Sequence, residues 1–148
     1  MKEKTKIING EVYAVMVFIL DENGNLLLLQ RKDNRKWETV KGGVLENEND
    51  EKAAIWRVKE ETGLEVKNLQ KLLGVSDELT TSYGKTKIHG SIWLCQVKCP
   101  QVVITEEHLQ YQPIPLRSIE NVDLYTPIAN FYEKKIKEVF EKRGLKYE

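Results

Sequence analysis

The sequence predicts an α/β fold, a mixed sheet between helices. Three observations carry this: two apolar runs joined by a turn near the amino terminus, a short helix with both ends marked, and two alternating runs followed by a second helix. Residues 11–20 are rich in Val, Ile and Phe, Asp21-Glu22-Asn23-Gly24 turns the chain, and residues 25–30 hold Leu26 to Leu29, which makes a strand, a tight turn and a strand. Residues 31–36, with Arg31, Lys32, Arg35 and Lys36, read as a solvated loop, and residues 37–40 as a short extended piece leading to Gly42-Gly43. Asn49 or Asp50 caps a helix over residues 50–62. Asp50 and Glu51 suit its first turn, Gly63 supplies the left-handed residue that ends it, and Ala54, Val58 and Thr62 form its buried stripe. Residues 69–76 and 85–97 alternate as strands around a polar loop at 77–84, and residues 101–105 are one more short strand or an extended connection. Thr126, with Pro127 at the first helical position, opens a terminal helix over 126–143 that packs on the sheet.

At 148 residues, with no repeat, low-complexity tract or linker, the chain is expected to be one domain over residues 1–148. Lys+Arg and Asp+Glu both number 23, so there is no overall cationic field and no duplex nucleic-acid partner is indicated. Cys95 and Cys99 have no His or Cys cluster beside them to complete a zinc site, and reduced, partly buried thiols are expected. No apolar run approaches the roughly 20 residues that span a bilayer, and the amino terminus has no apolar signal core. A cytoplasmic protein without a membrane partner follows, a monomer or a homodimer.

The chemistry-bearing stretch is GGVLENENDEKAAIWRVKEETGL, residues 42–64, a glycine loop running into a helix that ends on adjacent carboxylates. Glu60 and Glu61 stand near the helix C-terminus, where negative charge opposes the helix dipole, so the pair is not there for helix stability. With about 100° per residue, Arg57, Glu60 and Glu61 fall within one arc of the helix, which puts Arg57 within salt-bridging reach of either glutamate. A guanidinium there supplies part of the positive charge that a metal would bring.

This segment resembles the box of the Nudix hydrolase (MutT-like) family, Gly-x5-Glu-x7-Arg-Glu-U-x-Glu-Glu-x-Gly-U, where U is a bulky aliphatic residue. Gly42 matches the first glycine, Glu48 the first glutamate, Val58 the inner aliphatic, Glu60 and Glu61 the pair, and Gly63-Leu64 the end. Trp56-Arg57 stand where the family has Arg-Glu, so one metal-binding glutamate of the family is replaced by a cation. The resemblance implies a Nudix-like α/β/α sandwich. It also implies a hydrolase that cleaves the pyrophosphate of a nucleoside diphosphate derivative, such as an NTP, a dinucleoside polyphosphate, ADP-ribose or a nucleotide sugar. Mg²⁺ or Mn²⁺ would be the cofactor. Hard oxygen donors suit those ions, so Glu60, Glu61 and Glu48 are the implied metal ligands, with Glu46 the alternative upstream acid. Gly42 and Gly43 would let the backbone approach, and Lys41 would touch a phosphate.

Residues 105–116, TEEHLQYQPIPL, are similar to the family's late segment Glu-His-x-Glu-Tyr-x-Trp-U-Pro-Leu, with Gln110 at its glutamate and Pro113 at its tryptophan. A carboxamide cannot accept the proton that a carboxylate takes, so Glu107 is the candidate general base, against the plainer reading of an exposed loop acid. His108 is expected to be a surface or loop-packing residue. Trp37 and Tyr83 are candidates to stack on a purine, with core packing the commoner fate of a tryptophan. Trp56 is expected either to pack against the late segment where Pro113 has vacated the tryptophan's place, or to cover the site. The competing reading is a degenerate domain that binds a nucleotide or a protein partner without turnover, favoured by Arg57 and Gln110.

Overall fold

The computed structural model describes residues 7–8, 11–81 and 84–125. Its strands are β1 (Ile7–Ile8), β2 (Glu11–Leu20), β3 (Leu26–Arg31), β4 (Trp37–Glu38), β5 (Val40–Gly43), β6 (Gln70–Thr81), β7 (Gly84–Gln96) and β8 (His108–Ile114). One α-helix, α1 (Asp50–Thr62), separates β5 from β6, and a 3-10 helix (Leu116–Asn121) follows β8.

β2 organises the sheet. It runs parallel to β7 from Val12↔Ile88 to Leu20↔Gln96, and its other edge pairs antiparallel with β5 and then, at Leu20↔Leu26, with β3. β3 carries β4 and β8, and β6 closes the far edge against β7, so the sheet is mixed as expected.

A strand buried on both faces reads as continuous rather than alternating apolar sequence, and β2 and β3 divide their side chains between two cores. Val15, Val17, Ile19, Leu27 and Leu29 face α1, where Ala53, Ala54 and Val58 are wholly buried. Phe18, Leu20, Leu26 and Leu28 face the opposite side with Leu116 and Ile119 of the 3-10 helix. The expected terminal helix over 126–143 lies outside the described residues, as does Tyr83.

One expectation changes and one open alternative closes. Residues 77–81 are not loop: β6 continues through them, paired with β7 to Thr81↔Gly84. Their composition, Asp77 to Thr81, is mostly polar and reads as a turn although the backbone stays paired throughout. Residues 101–105 form the extended connection, not a strand, with Val103 N–H donating to the Thr62 carbonyl at 2.9 Å.

Candidate active site

α1 sets the site's geometry. The Asn49 side chain accepts from Lys52 N–H, and Gly63, at φ 76°, turns the chain out with its N–H on the Lys59 carbonyl. Between these caps, the Ala54, Val58 and Thr62 stripe is fully buried against the sheet, which carries Glu61 into the protein beside it at 6% exposure. Arg57 projects toward the glycine loop. Its Nε and Nη2 donate to the Gly43 carbonyl at 3.2 and 2.9 Å, and its Nη1 pairs with Glu60 at 2.9 Å, as the helical spacing predicts. A Cβ on Gly42 would lie 2.5 Å from Arg57 Nε and 2.6 Å from its Cδ, so the glycine makes room for this side chain.

A second layer comes from β4 and β8. Glu38 is buried and takes Arg31 Nη1 at 2.9 Å and Lys41 Nζ at 3.4 Å on Oε1, and His108 Nε2 at 2.8 Å on Oε2. Arg31 and Lys41 both stack on the Tyr125 ring, at 4.1 and 3.8 Å from its centroid. His108 is buried, its side chain 1% exposed, and its Nδ1 has no hydrogen-bond partner among the described residues. The surface reading of His108 is thus corrected. β8 pairs with β3 up to Arg31↔His108, and that register brings His108 beside Arg31 and the buried Glu38.

The electrostatics separate two buried carboxylates. Burial pushes the Glu38 carboxyl up, but His108, Lys41 and Arg31 outweigh it and hold the group below the usual glutamate value. Burial also pushes Glu61 up, and here the neighbours Glu38, Glu107 and Glu60 add to it and outweigh the Arg57 and Lys41 charges, so its pKa rises to about 8. Burial holds the Lys41 ammonium below its usual value, with Glu38 only partly opposing. Among the described residues, donor atoms of Glu38, Glu61 and His108 all lie within 4.8 Å of one another, the one group there with the makings of a metal site.

The expected site residues are therefore partly brought together. Glu61 is central, Glu60 and Glu107 act on it electrostatically, Lys41 pairs with Glu38, and Arg57 lies over Gly42 and bonds the Gly43 carbonyl. Glu48 is not in the three-residue group; its carboxylate accepts from Leu45 N–H at 3.0 Å and closes the loop, while Glu46 is exposed. Trp37 packs against the core on the 3-10 helix side. Trp56 is 47% exposed and Pro113 is exposed, so neither fills a buried place left by the other. Gln110 bonds Gln30 at 2.9 Å across β3 and β8. Arg31, read with the solvated run at 31–36, instead ends β3 and pairs with the buried Glu38, to which the sequence assigns no role. The legible signal was a carboxylate flanked by Trp37 and Thr39 just before two glycines. Cys95 is buried, with its thiol pushed up to about 12 by burial, and Cys99 is exposed. Among the described residues, no helix is long and apolar enough to cross a membrane.

The family model of the NUDIX domain matches residues 10–137. The asymmetrical bis(5'-nucleosyl)-tetraphosphatase of Rattus norvegicus is 35% identical over 112 residues, which is 74% of this chain and 72% of the rat protein. Among solved structures, the MutT protein of Methanosarcina mazei Go1 is similar with a TM-score of 0.74 at 24% identity, covering 95% of this chain and 100% of that one. A C. elegans Ap4A hydrolase binary complex has a TM-score of 0.69 at 22% identity over 89% of this chain and 98% of that one. The NUDIX domain of Shewanella oneidensis NrtR with ADP ribose has 0.71 at 15%, over 92% and 90%. At these identities the structures speak for the fold.

Proposed function

This chain belongs to the NUDIX domain family, and from that premise we propose that it hydrolyses a phosphoanhydride bond of a nucleoside diphosphate derivative, with a divalent cation anchored at Glu61. The observation that carries this reading is a carboxylate only 6% exposed, with no hydrogen bond among the described residues, ringed by three other carboxylates and pushed up to about 8. A buried acid whose neighbouring carboxylates outweigh its neighbouring cations is costly to ionise, and a bound cation relieves that cost. When bound, the ion would neutralise charge developing on the phosphoryl oxygens. Glu60 adds negative charge at its edge. We assign Lys41, held by Glu38 and Tyr125, to a phosphate contact, and Gly43 to the backbone that a phosphate would approach, the space over Gly42 being taken by Arg57. Glu107 is the proposed base for the attacking water, since Gln110 has no acidic oxygen. We take the unit to be residues 1–148, working in the cytosol.

Dinucleoside tetraphosphates rank first as substrates, because the rat relative is named for that class. The test is phosphate or nucleotide release with Mg²⁺ and Mn²⁺ across dinucleoside polyphosphates, nucleoside triphosphates, ADP-ribose and nucleotide sugars, in the parent and in Glu61→Gln. Turnover of one class that Glu61→Gln abolishes supports the reading. One observation favours the second reading, a domain that binds without turnover: Arg57 already occupies the Gly43 carbonyl and Glu60. Binding of a nucleotide with no turnover under any metal would select it.

A further inference from the structure

In this chain, the Gly43 carbonyl and one carboxylate oxygen each of Glu60 and Glu48 are already engaged. The Gly43 carbonyl accepts two N–H groups of Arg57, Glu60 accepts a third, and the Glu48 carboxylate holds Leu45 N–H. Glu61 alone among the box glutamates at the helix end is buried and unbonded among the described residues. A cation drawn to it must be completed from elsewhere, and the donor atoms within 4.8 Å belong to Glu38 and His108. Both are prepared for it. Arg31 and Lys41 crowd Glu38 Oε1 and leave Oε2 with His108 alone. His108 Nε2 and Glu38 Oε2 lie 2.8 Å apart at a side chain only 1% exposed, a separation that two ligands of one ion can also have, so a cation can replace the proton they share.

We propose that the divalent ion sits between Glu61, Glu38 and His108, a mixed nitrogen and oxygen set reached because Arg57 holds the glycine-loop carbonyl, and that the site therefore prefers Zn²⁺ and Mn²⁺ to Mg²⁺. Mg²⁺ demands an octahedron of oxygens and dehydrates reluctantly, whereas imidazole suits the transition ions. The proposal rests on the reading of Glu61 as the anchor.

Mn²⁺-loaded full-length protein, examined by pulsed EPR, separates the two. Nitrogen coupling to the ion is expected in the parent, with loss of that coupling in His108→Asn and loss of Mn²⁺ binding in Glu61→Gln. By calorimetry, Zn²⁺ should bind at least about tenfold tighter than Mg²⁺. Arg57→Glu leaves all three donors intact while freeing Gly43 and Glu60, and it should narrow that ratio even if His108→Asn fails to fold. Mn²⁺ bound at a Glu61-dependent site without nitrogen coupling, or with coupling that survives His108→Asn, overturns the inference and leaves the Glu61 reading standing. Binding that Glu61→Gln does not change, or no binding at all, overturns both.

Discussion

The Arg57 guanidinium bonds the Gly43 carbonyl through two of its nitrogens across 14 residues of chain, so the helix is tied to the glycine loop by a cation of the protein's own. Replacing Arg57 with Glu removes that cation and restores a carboxylate where the family has one. Mn²⁺ affinity should rise at least about tenfold, since each 1.4 kcal/mol of added attraction is a factor of ten. Equal affinities in calorimetric titrations of the variant and the parent would remove the idea that Arg57 competes with a metal.

Gly42→Ala should destabilise the protein by about 1–3 kcal/mol, because its Cβ would meet the middle of the Arg57 side chain and not a mobile tip. In an Arg57→Ala background that cost should nearly vanish. A denaturant double-mutant cycle without coupling between the two sites would show that the close contact carries no energy.

Glu61 binds its proton more tightly folded, at about 8, than unfolded, at 4.5. The folded state then holds the extra proton between those values, so stability of the metal-free protein should fall as pH rises from 4.5 to 8 and level off beyond. Glu61→Gln should remove that decline and stabilise the metal-free protein at pH 9. One pKa unit is worth about 1.4 kcal/mol, so the gain should be a few kcal/mol. Mn²⁺ binding at pH 7 should release close to one proton, read by calorimetry in buffers of different ionisation enthalpy. No proton release would mean that Glu61 is already ionised.

Glu38→Gln should cost about 3–5 kcal/mol, since it leaves Arg31, Lys41 and His108 without their shared buried counter-ion. Asp33→Asn, which removes an exposed partner of the same Arg31, should cost little or nothing measurable. Glu38 has its pKa lowered by folding, so its contribution is present above the unfolded glutamate value and lost as pH falls through the folded one. Equal thermal shifts for the two variants would contradict the burial argument.

What the sequence determined by itself is local. The α1 boundaries, its Gly63 end and its buried stripe all follow from spacing within a few residues, as does an Arg57 pair with Glu60 or Glu61, while the structure chose Asn49 over Asp50 as the cap and Glu60 as the partner. The β2–β3 strand pair was legible from Leu26 to Leu29 because an unbroken apolar run has no solvent face to give up. Tertiary structure alone decided which carboxylates meet. Glu38 and His108 are 70 residues apart and come together only when β4 and β8 both pair with β3. Glu60 and Glu61 are neighbours in sequence with opposite fates: one is half exposed on Arg57, the other buried and raised toward neutral pH. A successive residue on a helix turns about 100°, and only the packing of α1 on the sheet says which side of that turn loses its water.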